Sequence, residues 1–184
     1  IVIIQAIFFL SESKILNIDS YKILLLSMIL FLVLILLALR RVSMESINEL
    51  LNQENINEIF LAKSFRYNLA IFCLLLYGFV ELFFPNNSTL AYICFACGSA
   101  TFALLNDFVL KENNILFKPF VLYIISTISI TAIGFFFLGF NYLFELNMTN
   151  HFSHFLTTGS FGLVFYVIMI IVSTIHPGIK IFTN

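Results

Sequence analysis

The segment from Tyr21 to Leu39 places a single charged residue, Lys22, among aliphatic and aromatic side chains. A helix needs about 20 mainly apolar residues, at about 1.5 Å each, to cross the hydrocarbon core of a bilayer. Comparable runs recur along the chain, and 61% of its 184 residues are hydrophobic while only 10% are charged. Soluble domains carry about a quarter charged residues. The sequence therefore predicts an integral membrane protein.

The apolar runs predict an all-α, polytopic helical membrane bundle that forms a single transmembrane domain over residues 1–184. Helices suit this setting because they satisfy their own backbone hydrogen bonds in lipid. Five spans are full length, and a truncated sixth begins with the first residue, so we interpret it as the end of a helix that starts outside the chain. The predicted spans cover about 1–10 (partial), 21–39, 68–84, 89–105, 120–140 and 155–175.

The loop over residues 40–67 carries amphipathic patterns. Ser46 and Glu49 fit a capping box, and Asn55 and Glu58 imitate one. Apolar residues follow each pair at helical spacing. We predict two short amphipathic helices at the membrane interface. A connector that covers the end of the bundle is favoured over a dedicated partner site.

Basic residues are distributed unevenly between the loops that alternate across the membrane. Loops 40–68 and 106–119 and the tail after Ile175 share one side and hold seven of the nine Lys and Arg residues. Cytoplasmic loops carry the excess of basic residues, so the C-terminus is expected in the cytoplasm. The seven are Arg40, Arg41, Lys63, Arg66, Lys111, Lys118 and Lys180.

The charge balance also bears on partners. The formal net charge is −1, whereas nucleic-acid binding requires a basic surface that neutralises phosphates. The expected partner is the lipid bilayer, and nucleic acid is excluded. Glu81 and Asp107 stand near the ends of predicted spans, so no acidic or basic side chain is expected at the membrane midplane. This weighs against an ion-coupled carrier.

Histidines stand at both ends of the last predicted span, His154 at its start and His176 at its end. Neutral imidazole is a common metal ligand, and ionisable groups are rare in spans. A separation of 22 residues is six helical turns plus about 40°, so both imidazoles would project from nearly the same face. They would lie about 33 Å apart and could not share one metal ion. Either each ligates its own centre or one is structural.

Two further motifs contain metal-binding residue types. His151 and His154 would be neighbours on a helical turn and, with Glu145, would form a surface clamp for copper or zinc; hydrogen bonding to water or headgroups is the alternative. Cys94 and Cys97 lie mid-span, and Gly98 stands where a c-type haem motif needs histidine. We interpret both cysteines as helix-packing residues.

The last span carries the pattern His-x4-Gly-x2-Gly-x6-Met-x6-His-x-Gly. This pattern resembles the C-terminal signature of NnrS proteins, polytopic bacterial membrane proteins associated with haem, copper and nitric oxide metabolism. The resemblance implies the C-terminal half of such a protein in the bacterial inner membrane. The matching positions are His154, Gly159, Gly162, Met169, His176 and Gly178.

The resemblance implies that b-type haem is bound through His154 or His176, with Gly159, Gly162 and Met169 beside it, and that copper is a second expected metal. It also implies a role in nitric oxide stress or denitrification. A second axial ligand would come from the missing N-terminal half or from a second copy of the chain.

The alternative hypothesis is a non-enzymatic bundle, either a small-solute permease or a scaffold subunit, with structural interfacial histidines. A nitric oxide reductase is less favoured, because the chain lacks the histidine cluster that a binuclear centre needs.

Overall fold

A computed structural model of the chain describes residues 2–13, 20–85, 87–109 and 113–175. All regular structure within these ranges is helical, as the apolar runs predicted. The helices are α1 (Val2–Glu12), α2 (Ser20–Gln53), α3 (Ser64–Phe83), α4 (Thr89–Phe102), α5 (Pro119–Phe144), α6 (Thr149–Phe155) and α7 (Gly162–Ile175), with 3₁₀ helices at Ala103–Phe108 and Asn113–Phe117 and a π-helical turn at Leu156–Phe161.

Five of the described helices are long and apolar enough to cross a membrane, and the N-terminal helix is a shorter apolar one at Ile3–Glu12. This confirms the predicted all-α membrane bundle of five full spans and one short helix. The five membrane-length helices are Lys22–Gln53, Ser64–Phe83, Thr89–Phe108, Pro119–Phe144 and Thr149–Ile170, the last of which joins α6, the π turn and the first part of α7.

Helix α5 is the centre of the bundle: it packs along α4 on one side and against α6, the π turn and α7 on the other. Helix α4 in turn contacts α3, and α3 contacts α2. Small residues allow the close approach, since a Cβ added to Gly98 would lie 3.1 Å from the backbone oxygen of Ala132. Cys94 and Cys97 are free thiols buried in this interface, which agrees with a packing role.

Helix α2 is longer than its predicted span and continues to Gln53. The first predicted amphipathic helix is the last part of α2, where the apolar face of Ile47, Leu50 and Leu51 is fully buried. Ser46 is therefore not an N-cap: its hydroxyl donates to the carbonyl of Val42, one turn earlier in the same helix.

The second predicted amphipathic helix, at residues 55–63, is wrong. The chain leaves α2 through Asn55, which has a left-handed φ of 56°, and continues without regular structure to Lys63. The Asn48 side chain accepts the Phe60 N–H at 2.7 Å and donates to the Phe60 carbonyl at 3.1 Å. These two bonds satisfy the N–H and the carbonyl of Phe60, as hydrogen bonds within a helix would. The Phe60 ring is buried against Phe108.

The last predicted span is a helical rod with an irregular middle. Its first turns form α6, which begins at Thr149, and the chain then widens into the π turn before α7 begins at Gly162. A π turn carries i→i+5 hydrogen bonds and inserts an extra residue into a helix. The buried hydroxyls of Ser160 in the turn and Thr131 on α5 lie 2.6 Å apart and hydrogen-bond to each other.

At the end of the bundle where α3 begins, ion pairs and a hydrogen bond to a carboxylate connect the loops. The Asp107 carboxylate, whose side chain is 0% exposed, accepts hydrogen bonds from the Lys63 N–H at 3.0 Å and from the Arg66 guanidinium. Lys118 donates to Glu54 at 2.9 Å on the same end. These contacts lock the end of α2 and the start of α3 to the segments between α4 and α5.

Replacing Asp107 by alanine tests this lock. Asp107→Ala leaves Arg66 and the Lys63 N–H without their carboxylate, so we expect the free energy of unfolding to fall by about 3 kcal/mol. Reversible unfolding of the protein in mixed micelles measures this change.

The matched control is Glu45→Ala. The Arg41–Glu45 pair lies 3.1 Å apart on the surface, with side chains 81% and 64% exposed, and its loss should change stability by no more than about 0.5 kcal/mol. Equal effects of the two substitutions would contradict a structural role for Asp107.

Candidate functional site

A largely apolar cavity of about 300 Å³ lies between α2 and the first part of the last helical rod. One wall comes from consecutive turns of α2 and the other from α6 and the π turn. A few polar groups, including His154, interrupt the apolar lining, which is the usual composition of a small-molecule site. The lining residues are Leu24, Leu25, Ser27, Met28, Phe31, Asn150, Ser153, His154, Thr157 and Phe161.

His154 lies in the last turn of α6, and its side chain borders the cavity while remaining exposed. Helix α6 carries it there because Phe152 and Phe155 of the same helix both pack on Phe137 of α5. These ring contacts fix the rotation of α6. Of the predicted ligands, His154 is the one that the described structure places at a cavity.

His151, one turn earlier on α6, is exposed and is not part of the cavity lining. Among the residues that the structure describes, no three His, Cys, Asp or Glu side chains come together in a way that could hold one metal ion. Glu145 therefore does not complete a three-residue clamp with His151 and His154.

Gly159 and Gly162, two glycines of the sequence pattern, have different surroundings. A Cβ added to Gly159 would lie 2.9 Å from Cγ2 of Ile130, so this glycine permits close contact with α5. Gly162 has no atom within 4 Å of an added Cβ, and Met169, which is 72% exposed, also lies on the surface of the described bundle. His176 and Gly178 lie outside the described residues. The described structure does not gather Gly159, Gly162 and Met169 around His154.

The cavity residues on α2 were not predicted from the sequence. Met28, Phe31 and Leu25 read as ordinary members of an apolar span, and nothing in their spacing identifies the helix that they face. Their role depends on the pairing of α2 with the last helical rod, which is a contact between segments far apart in the chain.

Gly134 on α5 determines how closely the π turn approaches. A Cβ at this position would overlap Cδ2 of Leu156, a fully buried side chain at the start of the π turn. We expect Gly134→Ala to lower the free energy of unfolding by about 1–3 kcal/mol, because the core has no room for the extra methyl group. Thermal unfolding in detergent, followed by circular dichroism, measures the change.

Gly162→Ala is the matched control, since no neighbour would contact the new methyl group. Alanine also favours a helix over glycine by about 1 kcal/mol, so this variant should be at least as stable as the parent. A loss of stability in Gly162→Ala equal to that in Gly134→Ala would contradict the steric explanation.

The fold defines a multi-pass membrane protein, and a largely apolar cavity lies between the first and last membrane-length helices of the described residues. The chain belongs to the NnrS family: the family model described as NnrS protein matches residues 1–184. No curated protein and no solved structure matches it.

Proposed function

We propose that this NnrS protein binds b-type haem at the cavity between α2 and α6, where His154 would hold the iron. We further propose that it serves in nitric oxide stress or denitrification at the bacterial inner membrane. The observation that carries the proposal is the imidazole of His154 at the border of a largely apolar cavity. An imidazole and an apolar surrounding are the elements by which proteins hold haem and set its potential.

The side chains that line the cavity are of the types that bind haem. His154 would hold the iron, and the side chains of Leu25, Phe31 and Phe161 would cover the apolar faces of a macrocycle and exclude water from it. The cavity, at about 300 Å³, lies at the low end of the usual size of ligand sites. When bound, haem iron supplies a coordination position for a small gas ligand such as nitric oxide.

A second protein ligand for the iron would come from the same cavity. The Met28 thioether belongs to the α2 wall that faces α6, and a Met/His ligand pair occurs in cytochromes. A ligand from the remainder of a longer protein or from a second copy of the chain is the alternative. The same thioether and imidazole suit cuprous copper, which favours soft ligands, so copper is the second metal to be measured.

Haem binding is tested on the purified protein by its absorption spectrum and its metal content. The parent protein should show a Soret band after expression or after titration with haem, and His154→Ala should lose it. His151→Ala is the matched control, because His151 is exposed on the same helix outside the cavity lining. It should keep the band at full intensity.

A colourless parent protein that takes up no haem, or a Soret band unchanged in His154→Ala, would overturn the proposal. A colourless protein would favour the alternative of a permease or scaffold subunit with a structural His154, whereas an unchanged Soret band in His154→Ala would assign the haem to other ligands. Copper in the parent protein that is lost in His154→Ala would instead assign the site to copper.

Met28→Leu tests the second ligand. The substitution preserves the volume of a buried side chain and removes its sulfur, so stability should change by less than about 1.5 kcal/mol. If Met28 ligates the iron, haem remains bound and its spectrum changes from low spin to high spin. An unchanged low-spin spectrum would assign the ligand to a group outside the cavity.

A further inference from the structure

A group of buried polar side chains lies at the end of the bundle opposite the Asp107 ion pair, where α3 ends and α4 begins. Glu81 of α3 is only 6% exposed, and it is surrounded by Tyr77 of the same helix, Cys94 of α4 and Tyr142 of α5. We call these four residues the Glu81 cluster. Acidic side chains inside a membrane bundle are rare and commonly mark sites of ion or proton binding.

The hydrogen bonds of the Glu81 cluster are incomplete. The hydroxyls of Tyr77 and Tyr142 lie 3.5 Å apart, and the Tyr142 hydroxyl lies close to the Glu81 carboxyl group. The carboxyl oxygen Oε2 is buried and has no hydrogen-bond partner among the described residues. Buried polar atoms normally have a partner, so Oε2 is the unsatisfied atom of the cluster.

Among the described residues, no cation forms an ion pair with this carboxyl group. The ion pairs of the described residues join Arg41 to Glu45, Arg66 to Asp107 and Lys118 to Glu54, and none of them involves Glu81. The ionisable groups that face Glu81 are two phenols and one thiol, which carry no positive charge in either protonation state. An unpaired carboxylate is costly in apolar surroundings, whereas a neutral carboxyl group carries a proton on one oxygen.

A polar recess lies beside the Glu81 cluster. It has a volume of about 300 Å³, and Tyr142 belongs to both the recess and the cluster. Its shape is fixed by the Asn141 side chain, which accepts the Met148 N–H at 2.7 Å and donates to the Thr149 hydroxyl at 3.0 Å. The lining residues are Ser88, Asn141, Tyr142, Glu145, Asn147 and Thr149.

We propose that Glu81 is a proton-binding site inside the bundle, loaded from this recess through the Tyr142 hydroxyl. A water-borne proton joins the Tyr142 oxygen while the original hydroxyl proton passes to the Glu81 carboxylate. Tyr142 is left neutral, and the carboxylate becomes a neutral carboxyl group. The reverse transfer returns the proton to the recess. The Tyr142 hydroxyl lies close to the Glu81 carboxyl group, and the site is independent of the proposed haem cavity.

Infrared spectroscopy of the purified protein in lipid nanodiscs tests the proposal. At neutral pH the parent protein should show the carbonyl stretch of a protonated carboxyl group, and Glu81→Gln should remove that band. Glu145→Gln is the matched control, because Glu145 is an exposed carboxylate of the same recess. It should leave the band unchanged. Absence of the band in the parent protein, or its survival in Glu81→Gln, would overturn the proposal.

Tyr142→Phe provides an independent test that leaves Glu81 in place. Loss of the hydroxyl should shift the carbonyl band to the frequency of a more weakly hydrogen-bonded carboxyl group and should slow its exchange in deuterated water at least tenfold. An unchanged frequency and exchange rate would refute the route through Tyr142. A circular dichroism melt of each variant shows whether it is folded, and if Glu81→Gln fails to fold, the Tyr142→Phe result decides the proposal.

Discussion

The architecture depends on how closely α5 approaches the helices on either side of it. Apolar side chains gain little from leaving lipid for another apolar surface, so membrane helices associate through close packing and hydrogen bonds. Gly134 lies against Leu156 on one side, and Gly139 lies against the ring of Phe95 on the other. At both glycines an added Cβ would overlap the neighbouring side chain. Because α5 is held on both sides, it fixes the positions of α4 and of the last helical rod together.

The two ends of the bundle handle buried acidic groups in opposite ways. At one end Asp107 is paired with Arg66 and with a backbone N–H, which joins two loops. At the other end the described neighbours of Glu81 are hydroxyl and thiol groups. The first arrangement ties segments of the fold together, whereas the second suits the proton binding that we propose for Glu81.

The sequence predicts the features of the fold that depend on interactions within one segment. Apolar length predicts the five membrane-length helices, because each must satisfy its own backbone in lipid. The loop after α2 was predicted incorrectly, since the Asn48 side chain supplies hydrogen bonds that no local pattern shows. His154 and the α2 wall line the same cavity because segments far apart in the sequence pack together. Glu81 is buried for the same reason. A helix pattern read in isolation cannot identify those neighbours.

The π turn at Leu156–Phe161 separates His154 from the end of the last span, and the predicted common face with His176 lies outside the described residues. The extra residue in a π turn changes the angular position of everything beyond it by about 100° relative to an unbroken α-helix. The spacing of an unbroken α-helix therefore does not relate the direction of a side chain before the turn to that of a side chain after it. The directions in which the side chains of α7 project thus depend on the position of the turn as well as on their own spacing. In the rod that carries His154, the bond between Ser160 and Thr131 ties this turn to α5.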